Sequence, residues 1–467
     1  MNDIRILFYT DFSYMVSPGS GWSITRLMKM VSLKSKGLAN VSFTLVDRRN
    51  GLQKLDCDRL KDFDELWVFG FIELKKPPFS LEEEEITALS EWMTQGGGVL
   101  VTGDHSITRA ANECDADHKT FFGHGRAIGS CIPLAGLMRD WEGPPTACDN
   151  VDLVCRDNFN TQEGDDPDTL DSLLLQLDSK PQILLKEKTT HPLFSLHLPH
   201  DPAARIRKFP DHQHEGRLIP KEELQNVWPK GFPLPEIVAR GIDKRFPEKP
   251  RIYDLVSAFD GARAGVGRIV ADSSFHHYID TNLNGLEALN CCGEPIPGSD
   301  LDQIAQYFWN LVLWLAPSDL RKTMKLSLLV RAALLPEVLE IWGTGAQQLA
   351  ETGRRALQAD VGLSNLFLLF SRSAEEEENF LDEFFKWIIF EQSSDKFEGL
   401  NPNLILGYTI KAVHLFMERN EFYDPAWIRE LPRPEVFIRE GMELSGSKLP
   451  ESEAILSKLQ ETLSSQF

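Results

Sequence analysis

The chain has 467 residues, 42% of them hydrophobic and 25% charged, which excludes a mostly disordered protein and suits two domains. Asp and Glu number 70 against 49 Lys and Arg, a net charge of −21. So acidic a chain has no general attraction for phosphate backbones or anionic lipid, which argues against nucleic acid and membrane surfaces as partners.

No stretch reaches about 18 uninterrupted apolar residues. The most apolar run, residues 304–316, is too short and carries Asn310. The first residues, Met1 to Arg5, lack the basic-then-apolar order of a secretory leader. Seven cysteines with no C-x-x-C pair suit reduced thiols, so the expected location is the cytoplasm.

In chain order, residues 4–9 predict a first strand, and Ile24, Leu27, Met28 and Val31 predict an amphipathic helix after it. Residues 41–46 and 66–71 predict two more strands. Ser80 and Glu83 form a capping box ahead of a helix whose buried stripe is Ile86, Leu89 and Met93. Gly96 to Gly98 end that helix, and Val99 to Thr102 predict a fourth strand. Strands separated by helices predict a parallel open sheet, whose ligands sit beyond the carboxyl ends of its strands. Residues about 106–250 break the pattern, being rich in Pro, Gly, Asp and His. They predict a long loop-rich insertion, with strands near Ile183–Leu185 and Ile206. Asp254–Phe259 and Arg268–Asp272 predict two late strands, and Leu301–Ala316 a helix stopped by Pro317. Beyond 318 the pattern is helical only, with a capped helix from Ser373 and another over Leu404–Met417. The expected domains are therefore 1–317 (α/β) and 318–467 (all-α).

Ten of the eleven histidines lie between His105 and His277, several beside carboxylates: Asp104-His105, Asp211-His212-Gln213-His214-Glu215, and Asp272 with His276 and His277. Histidine is both the usual acid/base near neutral pH and the commonest metal ligand. An extended 211–215 segment would project His212 and His214 from one face, a two-ligand set for zinc, manganese or iron. Asp104, His105, Asp272 and His276 are the candidate catalytic residues. Asp211, His212, His214, Glu215 and His277 are the candidate metal ligands. The alternative is that these side chains only satisfy buried backbone groups. Pro18 to Ser23 lacks a phosphate-loop pattern and predicts a turn and helix cap. No G-x-S-x-G elbow occurs, and Cys131 reads as a structural thiol.

The stretches Phe63 to Gly70, Gly96 to His105 and Gly267 to His276 resemble the class I glutamine amidotransferase-like superfamily, in particular its trehalose-utilisation (ThuA-like) branch. The resemblance spans about residues 1–110 and 250–317. It implies a flavodoxin-like sheet, with His276 in the position of that superfamily's late-strand histidine. The superfamily's nucleophilic Cys would follow the fourth strand, where this chain reads Thr102-Gly103-Asp104-His105. The resemblance therefore implies no glutaminase activity.

The resulting expectation is a hydrolase acting on a small polar substrate, through a His/carboxylate pair or a divalent metal. The alternative is a non-catalytic ligand-binding or assembly protein whose helical domain docks a partner or a second copy.

Overall fold

The structure is a computed structural model and describes residues 2–10, 13–35, 38–48, 53–70, 81–103, 132–140, 182–184, 191–196, 205–210, 217–242, 252–283, 299–341, 346–358 and 402–419. Its strands are β1 (Asn2–Thr10), β2 (Ala39–Asp47), β3 (Glu65–Gly70), β4 (Gly98–Gly103), β5 (Arg139–Asp140), β6 (Gln182–Ile183), β7 (Lys208–Phe209), β8 (Arg217–Leu218), β9 (Glu236–Ile242), β10 (Ile252–Phe259) and β11 (Ile269–Asp272). The longer helices are α1 (Thr25–Lys34), α2 (Glu83–Thr94), α3 (Asp300–Leu315), α4 (Ser318–Ala333), α5 (Ala346–Gln358) and α6 (Pro402–Arg419).

Seven strands form one sheet in the order β2-β1-β3-β4-β11-β10-β9. The first five in that order are mutually parallel; β10 runs antiparallel to β11, and β9, antiparallel to β10, runs in the direction of the five. In the parallel part the winding reverses between β1 and β3, as it does in doubly wound α/β sheets. An all-parallel sheet was expected, so the antiparallel edge is a correction. Its cause is connection length. Nine residues separate β9 from β10, fewer than the dozen or so that a parallel crossover needs. Strand β9 also lies inside the stretch read as loops; only the run Ile237-Val238-Ala239 signals it.

Each face of the sheet has its own core. On one face Ile4, Ile6, Phe8, Trp67, Phe69, Leu100 and Val270 pack against α1 and α3. On the other Leu7, Leu66, Val68, Val99, Val101, Ile269 and Ala271 pack against α2. This alternation along each strand is the pattern of a sheet covered on both sides. The insertion contributes to both cores, with Leu193, Ile206 and Phe209 on the first and Ile132, Met138, Leu218 and Trp228 on the second.

Pro317 ends α3 and sits at the N-cap of α4. Met324 and Leu328 of α4, Ala356 of α5, and Leu406, Ile410 and Val413 of α6 belong to the same buried cluster as the first sheet face. The described helices after residue 317 thus share the sheet's core. The helix expected from Ser373 lies outside the described residues.

Local signals are met with small shifts. Helix α2 begins at Glu83 rather than at the Ser80 box, and the Glu85 carboxylate accepts the Glu82 amide at 2.9 Å. Glu85 is drawn inward by buried Arg48, whose guanidinium donates to both of its oxygens at 2.6 and 2.8 Å. Gly96, at φ +98°, ends the helix as a left-handed C-terminal residue. Gly98 opens β4 directly against α3, where a Cβ would come within 2.1 Å of the Leu315 carbonyl oxygen.

Candidate functional site

Strand β11 ends at Asp272, and the chain turns at once into a short 3-10 helix, Phe275–Tyr278. Two side chains build this turn. Asp272 Oδ1 accepts the Ser274 amide at 2.9 Å, and the Ser274 hydroxyl accepts the His276 amide at 3.3 Å. Asp and Ser favour such local bonds because their short side chains reach the backbone two residues on.

The turn brings His277 back over the carboxylate. His277 Nδ1 lies 2.6 Å from Asp272 Oδ1, and both side chains have no exposed surface. The second oxygen, Oδ2, accepts the Tyr278 hydroxyl at 2.8 Å, with the Tyr307 hydroxyl of α3 at 3.5 Å. Burial, reinforced by the Asp272 charge, raises both phenols well above their ordinary range. They are therefore neutral hydroxyls that donate to the carboxyl group between them. A carboxyl group held at Nδ1 favours the His277 tautomer that carries its proton there.

His276, the other neighbouring imidazole, is placed differently. Its ring stacks on Phe275 at 3.9 Å and lies 5.5 Å from the Trp22 ring. Asp272 and His277 thus come together as a pair, and His276 packs among aromatics beside them.

Two further connections reach this point. Arg139, on β5 in the insertion, is 3% exposed, and its Nη2 donates to the Gly103 carbonyl at 2.9 Å and the Ser273 carbonyl at 2.7 Å. It therefore ties the carboxyl end of β4 to that of β11. Phe209 of β7 packs its ring 4.6 Å from the His277 ring. In sequence Asp104 follows Gly103 directly, and Asp211 follows Phe209 by two residues. Asp104 and His105, and Asp211, His212, His214 and Glu215, themselves lie outside the described residues. Cys131 does as well.

Tyr278, Tyr307, Arg139 and Thr102 were not singled out from sequence. Tyr278 and Tyr307 carry a weak signal, being aromatic residues with a polar tip near a predicted strand end. Arg139 carries none, because it stands alone in an irregular stretch.

Aromatic rings of the segment after β11 pack beside β3 and ahead of α1. The Tyr278 ring lies 5.1 Å from Phe69 of β3 and Trp22 stacks on Phe275 at 5.7 Å. Asp280 then reaches the start of α1, where its carboxylate accepts the Ser23 hydroxyl at 2.6 Å and the Arg26 amide at 2.8 Å. The first-turn amides of α1, the place a phosphate would take, thus already hold a carboxylate. This agrees with reading residues 18–23 as a turn and cap.

Among the described residues, no group of three or more His, Cys, Asp or Glu could hold a metal ion. The Asp272–His277 pair alone is too few ligands, although a carboxylate on one ring nitrogen is how metal-binding imidazoles are commonly oriented. Among the described residues, no helix is long and apolar enough to cross a membrane. No known protein family, curated protein or solved structure matches the chain.

Proposed function

We propose that the chain is a hydrolase acting on a small polar substrate at the carboxyl edge of the sheet, with His277 as the acid/base and Asp272 as its orienting partner. The observation that carries this reading is the 2.6 Å contact between two fully buried side chains at the end of β11. Water supplies the attacking oxygen, which bonds to the substrate's electrophilic centre, and its proton passes to His277 Nε2. The electron pair of the broken bond leaves with the departing group, which then collects that proton. Asp272 holds the tautomer and stabilises the transient imidazolium. The flavodoxin-like assignment of the sheet and the absence of a cysteine after β4 belong to this reading, as does a cytoplasmic location.

The test is turnover of p-nitrophenyl esters, phosphates and glycosides by wild type, His277→Gln and Asp272→Asn. Loss of a measured turnover by about 10²–10⁴-fold in both variants supports the proposal. Equal turnover in all three sinks it. A divalent ion completed by Asp211, His212, His214 and Glu215 is the metal form of the reading. Stoichiometric zinc, manganese or iron that disappears in His212→Ala/His214→Ala supports that form.

A second reading is favoured by one observation: Asp272, His276, His277 and Tyr278 are all essentially unexposed. In that reading the cluster pins β11 to α3, the protein binds or assembles without chemistry, and the helical region 318–467 docks a partner or a second copy. Full cellular activity of His277→Gln, with assembly lost on truncation at Pro317, supports it.

A further inference from the structure

Thr102 is the second-last residue of β4, and its side chain has no exposed surface. Among the described residues its hydroxyl makes no hydrogen bond. Register locates it closely. Val101 pairs with Ala271 on β11, so Thr102 stands beside Asp272, and on β3 its partner is Phe69. Thr102 shares a face with Leu100, as Asp272 does with Val270, and both of those belong to the first sheet core. Tyr278 bridges the same two flanking strands. Its ring meets Phe69 at 5.1 Å and its hydroxyl donates to Asp272 at 2.8 Å. Thr102 therefore lies in the sheet between the two anchor points of Tyr278, next to the acid–base pair.

A buried hydroxyl without a partner is destabilising, and such groups are usually satisfied by an ordered water. A valine would fill the same space on the strand without that cost. We infer that Thr102 Oγ1 holds an ordered water molecule at the Asp272–His277 pair. Resting on the hydrolase reading, this water is the nucleophile. Its oxygen forms the new bond to the substrate, and one of its protons goes to His277 Nε2.

The test uses the full chain and three forms: wild type, Thr102→Val and Thr102→Ser. High-resolution crystal structures are expected to show a water within hydrogen-bonding distance of residue 102 in wild type and Thr102→Ser, and none there in Thr102→Val. Thr102→Val is expected to keep or raise the melting temperature while kcat on the p-nitrophenyl substrate falls at least tenfold with KM little changed. Thr102→Ser is expected to stay close to wild type. A dry Thr102 in the wild-type crystal overturns the inference. Unchanged kcat in Thr102→Val also overturns it as a nucleophile site. If the water is present but His277→Gln turns over like wild type, the hydrolase reading falls and the water site stands.

Discussion

The indole N–H of Trp67 donates to Glu65 Oε2 at 2.9 Å, and among the described residues this is the one hydrogen bond that the Glu65 side chain makes. Both residues point from β3 into the first sheet core, and the Glu65 carboxyl is fully buried. Burial raises its proton affinity well above the ordinary carboxylate value of 4.5, with the Trp67 bond opposing. The folded chain keeps this proton at pH values where the unfolded chain has released it. Stability is therefore expected to fall as pH rises above 4.5, until the folded carboxyl itself ionises. Glu65→Gln should remove this dependence. It should melt about 2–4 °C above wild type at pH 8, roughly 1 kcal/mol for a domain of this size, and near wild type at pH 4.5. Scanning calorimetry at the two pH values decides.

His191 should act in the opposite pH range. It is buried against Trp314, with ring centroids 5.5 Å apart, and its Nδ1 accepts the Leu193 amide at 3.3 Å. Burial first, then the Arg268 charge, lowers its proton affinity from 6.5 to about 3. Between those values the unfolded chain binds the proton and the folded chain does not, so stability falls as pH drops through that window. Urea midpoints at pH 4 and pH 7 should differ less in His191→Asn, whose side-chain oxygen can still accept the Leu193 amide. The difference removed is on the order of 1–3 kcal/mol.

The Asp272 cluster predicts a graded series. Asp272→Ala leaves the His277 ring and two phenols without their shared acceptor and should cost about 3–5 kcal/mol. Tyr278→Phe removes the 2.8 Å bond to Asp272 and the 3.2 Å contact to Tyr307, about 1–2 kcal/mol. Tyr307→Phe removes only the longer 3.5 Å contact to the carboxylate and the 3.2 Å contact to Tyr278, and should cost less than Tyr278→Phe. Chemical denaturation of the three variants checks the order. An equal cost for both tyrosines would contradict the geometry.

Gly98→Ala is expected to be severe. The new methyl would meet the Leu315 carbonyl oxygen at 2.1 Å, and that oxygen is a backbone atom that cannot swing aside. Strand β4 and the end of α3 would have to separate, at about 3 kcal/mol or the upper end of overpacking costs. A sharp drop in melting temperature checks it, and a wild-type value would show that α3 yields easily.

The fold was legible in sequence where period and punctuation agree. The strands at 4–9, 41–46, 66–71 and 99–102 and the helix before Pro317 all stand within two residues of their expected ends. Short elements held by partners far along the chain were harder. The single-turn helix Asp280–Leu283 and the ribbon pair β5/β8 have too few residues to show a period. Of the histidine clusters, the one after β11 could be read because a strand end fixes its place. Its partner choice could not be read, since only the turn built by Asp272 and Ser274 decides that His277 folds back onto the carboxylate. The cap on α1 was hidden for a similar reason. Its acceptor is Asp280, some 250 residues away, and spacing carries no trace of it.

Asp280 has a consequence for the order of events during synthesis. The first helix leaves the ribosome without its cap, and β4 without the neighbour that fills its open edge. Both are supplied by residues 269–280, so the amino-terminal half must wait for more than half the polypeptide before it can close. Such distant pairings slow folding. A nascent chain halted before residue 269 should present a bare strand edge to chaperones.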